Sequence, residues 1–167
     1  ELEFLEDPSG SVTFEQVLSA ENLSRFQPNE AKVFNQGNTS SVYWLRFSVA
    51  NSTANSIPLI FSIENLYGSL ELFGMKKTGE GFSVFKKSAR QLVKEGGTTW
   101  DLQNTAIGVD ANQQTDYYLR IEPNLILRAE ISLWKPEALR EHFTDKYNLL
   151  SISWGFISCN AFFSLLF

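Results

Sequence analysis

The chain has 167 residues and a net charge of -5, with 43% hydrophobic and 14% aromatic residues. That is enough apolar mass for one domain with its own core, and too little length for two full domains. The acidic balance and the lack of any extended Lys/Arg run exclude a nucleic-acid binder. The single histidine, His142, lies in a charged segment and the single cysteine, Cys159, in an apolar run, which leaves almost no material for a Ser-His-Asp or Cys-His catalytic set or a histidine-rich zinc site, and none for an internal disulfide.

The chain opens on "ELEFLED", with neither the basic flank nor the apolar run of a secretory signal. Either the protein is cytosolic or a signal has been removed. "DPSGS" (Asp7 to Ser11) reads as a turn. Within "TFEQVLSA", Thr13 caps a short helix, Gln16 completes a capping box, and Phe14, Val17 and Leu18 share one face. Strands are then predicted at Ser41–Ala50, Ile57–Glu64, Ser69–Met75, Gly81–Lys86, Thr115–Glu122 and Leu125–Trp134. Turn-forming stretches separate them: "NQGNTS", "NSTANS", "KKTGEG", "KEGG" and "DANQQTD". Short, regularly spaced strands without amphipathic helices between them imply an antiparallel sandwich or barrel. A second helix is predicted from Pro136, with proline in its first turn and Glu137 at the positive end of its dipole.

No charged residue occurs in the 21 positions from Tyr147 to Phe167, a length that suits a bilayer-spanning helix. The expected organisation is a β domain over 1–134, a linker helix over 135–146 and the start of a transmembrane helix over 147–167, in a chain that continues beyond Phe167. The competing reading of the apolar run is an element that completes a soluble core.

The strands have two unlike faces. Tyr43, Leu45, Phe47 and Val49 form an apolar face, leaving Val42, Trp44, Arg46 and Ser48 opposite. Tyr117, Leu119 and Ile121 leave Tyr118, Arg120 and Glu122; Leu66, Leu70 and Leu72 leave Tyr67, Glu71 and Phe73. Leu127, Ala129, Ile131 and Leu133 leave Arg128, Glu130, Ser132 and Trp134. Rings beside charges suit a sugar-like ligand, since flat rings stack on C–H faces and charged groups bind hydroxyls. They equally suit a protein interface. They also suit a covered face, on which each Arg packs on a ring and pairs with a Glu.

The order "LEDPSGSVTFEQVLS", "FQPNEAKVFNQGNTSSVYWLRFSVAN", "LIFSIENLYGSLELF", "DYYLRIEPN" and "ISLWKPEAL" resembles the type 2 extracellular domain of bacterial seven-transmembrane receptors that carry diverse intracellular signalling modules. The marks are Glu6-Asp7 with Gly10, Phe26-Gln27-Pro28, Gly37 before Thr39-Ser40, Trp44-Leu45-Arg46, Asn51, Tyr67, Arg90 and Tyr118-Leu119-Arg120. "FGMK" at Phe73 to Lys76 departs from the pattern in lacking a tyrosine. The resemblance implies an all-β jelly-roll sandwich similar to carbohydrate-binding modules, followed by a C-terminal helix. It also implies a periplasmic location, with the export signal already cleaved, anchorage in the inner membrane through the C-terminal segment, and a non-catalytic role in a histidine kinase or diguanylate cyclase receptor.

The expected ligand is a carbohydrate or another small polar molecule. The candidate ligand-binding residues are Trp44, Arg46, Tyr67, Glu71, Tyr118 and Arg120, with Trp44 favoured for ligand contact and Arg120 for architecture through a carboxylate such as Glu64, Glu71 or Glu122. The alternative function is a homodimerisation or protein-interaction module; a two-carboxylate glycosidase is a third class, without a recognisable acidic pair. No cofactor and no dedicated metal site is expected. Asp7, Asp110 and Asp116 are the loop carboxylates that calcium would use.

Overall fold

The structure is a computed structural model that describes residues 1–66, 68–78, 81–90 and 104–144. Two compact units divide it, Glu1–Leu133 and Trp134–Phe167.

Among the described residues the first unit holds ten strands: β1 (Glu3–Asp7), β2 (Gln27–Pro28), β3 (Phe34–Asn38), β4 (Val42–Asn51), β5 (Ile57–Glu64), β6 (Gly68–Thr78), β7 (Gly81–Arg90), β8 (Asn104–Val109), β9 (Gln113–Pro123) and β10 (Ile126–Trp134). They form a six-stranded sheet, β2-β1-β4-β9-β6-β7, and a four-stranded sheet, β3-β10-β5-β8. Taken alone, β3 to β10 distribute as β3-β10-β5-β8 facing β4-β9-β6-β7, the interlocked Greek keys of a jelly roll. The expected fold class is therefore the observed one, with β1 and β2 added beside β4.

Antiparallel pairing orients the two ends of this unit. β4 runs from Val42 to Asn51 against β9, with Tyr43 opposite Ile121 and Asn51 opposite Gln113. Thr78 and Gly81 close the β6–β7 hairpin at the same end as Asn51 and Gln113. β10 leaves the sandwich at this end too, since it starts beside Asn38 at the opposite one. We call this the exit end. Asn51 braces it: its side-chain amide donates to the carbonyls of Asn55, Val109 and Asp110 at 2.8–3.1 Å.

Between the sheets lies the main core, the apolar phase expected from the alternation. Tyr43, Leu45, Leu70, Leu72, Tyr117, Leu119 and Ile121 of the six-stranded sheet meet Phe34, Phe61, Ile107, Leu127 and Ala129 of the other. Phe47 stacks on Tyr117 with centroids 5.2 Å apart. Phe85 reaches the same core from β7, above Gly74; a Cβ at Gly74 would lie 2.2 Å from its ring.

A second core covers the other side of the six-stranded sheet. Leu5, Trp44, Phe73 and Tyr118 project from the sheet and meet Phe14, Val17 and Phe26 from the segment that links β1 to β2. That segment forms two single-turn helices, α1 (Phe14–Val17) and α2 (Ala20–Leu23). Thr13 and Gln16 make the expected capping box on α1, and Ser19 caps α2, which the sequence reading had not separated. The preceding turn closes on Asp7, whose carboxylate accepts from the Ser9 amide and hydroxyl and from the amides of Gly10 and Val12. Gly10 takes a positive φ of 64°, the conformation glycine adopts without strain.

β8 was not among the predicted strands. "NTAIGV" is short, and only Thr105, Ile107 and Val109 are buried in it. In the second unit, helix α3 (136–144) starts at Pro136 as expected, and the rings of Trp134 and His142 stack 4.9 Å apart. Among the described residues no helix is long and apolar enough to cross a membrane; the run 147–167 lies outside them.

Substituting Gly74→Val forces a branched side chain into the Phe85 ring, and overpacking of this kind costs roughly 1–3 kcal/mol. Urea unfolding of the variant is expected to show a midpoint lowered by that free-energy loss divided by the slope, with the slope unchanged.

Candidate functional site

Strand register brings five of the six candidate residues onto one face in two adjacent rows. Leu5, Trp44, Arg120 and Glu71 stand in one row, and Glu3, Arg46, Tyr118 and Phe73 in the next. Tyr67, the sixth, lies outside the described residues. The alternation thus placed these side chains together, but most of the face is not open. Trp44 has no exposed surface, and Tyr118 keeps 5% of its own. Phe14 stacks on Phe73 at 4.4 Å with an interplanar angle of 3°, lies 6.4 Å from Trp44 and meets Tyr118 edge-on at 5.7 Å.

Magnitudes decide whether this cover could be a lid. Uncovering the seven residues of the second core would expose side chains worth about 1.5–3 kcal/mol each, a total comparable to the roughly 5–15 kcal/mol that holds a domain together. The cover is part of the fold. The ligand contact expected of Trp44 is accordingly corrected: its ring fills the second core, and its indole N–H is buried without an acceptor among the described residues.

The charged members are architectural in the same way. Arg46 makes a bidentate pair with Glu3, Nε to Oε2 at 2.5 Å and Nη2 to Oε1 at 3.1 Å, while its guanidinium lies 4.5 Å above the Phe26 ring. The hydrogen bonds from Arg46 hold the Glu3 carboxyl below the usual range, against desolvation, and those bonds push Arg46 further up. Arg120 pairs with Glu122 at 3.1 Å and donates to the Gly10 carbonyl at 3.1 Å, tying the first turn to the sheet. Glu71 takes Lys86 at 2.6 Å, and the Lys86 ammonium lies 5.2 Å over Phe73.

Where the cover ends, towards the exit end, the same face carries a cavity of about 380 Å³ lined by Glu1, Glu3, Arg46, Phe47, Ser48, Gln114, Asp116 and Tyr118. Ser48 and Asp116 are cross-strand partners. The Ser48 hydroxyl and the Gln114 amide both donate to Asp116 Oδ1, at 2.5 and 3.2 Å, which orients the carboxylate and leaves its second oxygen without a hydrogen bond from the described residues. Burial and then the Asp116 charge push the Tyr118 phenol up, so it stays a hydrogen-bond donor at neutral pH. The cavity therefore offers fixed acceptors, a hydroxyl and one paired guanidinium.

Two candidate residues, Arg46 and Tyr118, line this cavity; Trp44, Glu71 and Arg120 do not. Ser48, Gln114 and Asp116 were missed as site residues. Their signal was present, since Ser48 shares the phase of Trp44 and Arg46, and Asp116 that of Tyr118. The three aspartates considered for calcium do not converge. Asp7 is consumed by its turn at the far end, Asp110 pairs with Lys76 at 3.0 Å, and Asp116 faces the cavity.

The family model described as 7TMR-DISM extracellular 2 matches residues 1–135. The chain belongs to this family. It is thus the extracellular domain of a seven-transmembrane receptor type, as the resemblance implied. No curated protein matches the chain. Among solved structures, TmCBM61 in complex with β-1,4-galactotriose is similar at 10% identity, over 80% of this chain and 88% of that one, with a TM-score of 0.37.

Two outcomes follow for this DISM extracellular domain. Trp44→Ala removes the largest fully buried side chain and is expected to lower stability by about 3–5 kcal/mol, read by urea unfolding. Burial opposes ionisation of Asp7, but its four hydrogen bonds prevail and lower its pKa. A depressed carboxyl contributes stability above its unfolded value of about 4 and loses it as pH falls through the folded value. Stability should fall below about pH 4. Asp7→Asn should be less stable at neutral pH and flatter across that acid range, as measured by unfolding at a series of pH values.

Proposed function

We propose that this domain is the periplasmic ligand-sensing part of a membrane signalling receptor of histidine kinase or diguanylate cyclase type, without catalytic activity of its own. Its ligand is a small polar molecule, with carbohydrates the first class to test, held in the cavity on the sheet face over β4 and β9. The observation that carries this reading is the Ser48–Asp116–Gln114 cluster, a pre-oriented set of polar groups at the margin of the covered part of the face. The cavity also lies at the exit end, where β10 leaves for the C-terminal segment that anchors the chain in the inner membrane. A ligand need only favour one arrangement of this end over another to bias the helices that follow.

A dimerisation or protein-contact role is the second reading. It is favoured by Leu125 and Ile126, adjacent residues at the opposite end that keep 65% and 48% of their surface exposed.

Thermal unfolding against a panel of oligosaccharides, amino acids and amines tests the first reading. One ligand class should raise the melting temperature. Asp116→Ala and Ser48→Ala should fold normally and weaken that ligand at least about tenfold, or roughly 1.4 kcal/mol. No response across the panel, together with concentration-dependent association abolished by Leu125→Asp, would favour the second.

A further inference from the structure

The β6–β7 hairpin departs from the rest of the chain in charge and in exposure. Between Gly68 and Arg90 the sequence carries Lys76, Lys77, Lys86, Lys87 and Arg90 against Glu71 and Glu80, in a chain whose net charge is -5. β7 is an edge strand. On its outer face Phe82 and Val84 keep 65% and 47% of their surface exposed, while Phe85, of opposite phase, packs into the main core. Phe82 stands opposite Lys77, one register step from the Thr78–Gly81 closure, so the apolar pair sits at the exit end.

An aromatic and a valine exposed side by side, with Lys86 two positions along on the same face, have the composition of a surface that enters a headgroup layer, with the ring at the acyl boundary and the ammonium among anionic headgroups. The chain leaves the sandwich at this same end. Only the twelve residues 135–146 separate the last strand from the uncharged run in the sequence. A second copy of this chain is a poorer occupant, because a two-fold pairing of β7 edges would set like-charged hairpins against each other. Lys76 and Lys86 pair with Asp110 and Glu71, and the side chains of both lysines remain partly exposed, so each ammonium keeps donors beyond its ion pair.

We propose that the exit-end tip of the β6–β7 hairpin, through Phe82, Val84 and the neighbouring lysines, docks on the anionic lipid surface of the membrane that anchors the chain. The proposal rests on the anchored reading given above. It supplies the receptor with a second, releasable contact between domain and bilayer, beside the covalent one.

The test uses the full chain reconstituted in liposomes of phosphatidylcholine with and without about 30% phosphatidylglycerol, a fraction chosen to give a strongly anionic surface. An environment-sensitive fluorophore is placed on single cysteines introduced as Phe82→Cys, Leu125→Cys or Trp154→Cys, each in a Cys159→Ser background. Bromine-labelled lipids report contact with the acyl boundary. The label at 82 is expected to be quenched about twofold or more in anionic vesicles and less in neutral ones or at high salt, that at 154 strongly in both, and that at 125 in neither. Quenching at 154 with an aqueous label at 82 would overturn the lipid contact and leave the anchor standing. A label at 82 that is shielded from water but untouched by bromine would assign the tip to a protein partner, and so also overturn it. An aqueous label at 154 would defeat the anchored reading and the proposal with it.

Discussion

Both faces of the central strands β4 and β9 are buried, and the rest of the domain is arranged around that constraint. Leu45 and Leu119 on one side, and Trp44 and Tyr118 on the other, all have almost no exposed surface. A sheet that is apolar on both faces needs two covers. The four-stranded sheet supplies one, and the segment between β1 and β2 supplies the other. The cover is short of regular structure, so it is fastened by individual contacts: the Asp7 turn, the Thr13 cap, the Arg120 bond to Gly10, and Arg46 over Phe26.

That fastening explains why arginines and aromatics share a face. A guanidinium can pack its flat surface on a ring while its edge binds a carboxylate, so it can sit at the margin of a core without losing its hydrogen bonds. Arg46 does this between Phe26 and Glu3, and Lys86 does a looser version between Phe73 and Glu71. The polar groups so engaged have little left for a ligand. What remains is the margin of the face, where the cover stops and Ser48, Gln114 and Asp116 meet a cavity.

The exit end gathers several of these features. The cavity, the Asn51 brace, the β6–β7 tip and the last residues of β10 all lie there. The Asn51 side chain gathers three carbonyls from two loops, which makes this rim a connected frame.

Alternation in the sequence determined which side chains share a face, because a strand has no other choice. Trp44 had to join Arg46, and Tyr118 had to join Arg120. The capping box at Thr13, the turn at Asp7 and the start of α3 at Pro136 were likewise local and legible. What a face meets is a long-range matter, and only the tertiary structure decided it. Phe14 lies 30 residues from Trp44 in the chain, and nothing in either strand signals that a four-residue helix will be laid over the ring. The same fold of the chain turned a platform of rings into a core and moved the open polar site to its edge, where Ser48 and Asp116 are brought together from strands 68 residues apart.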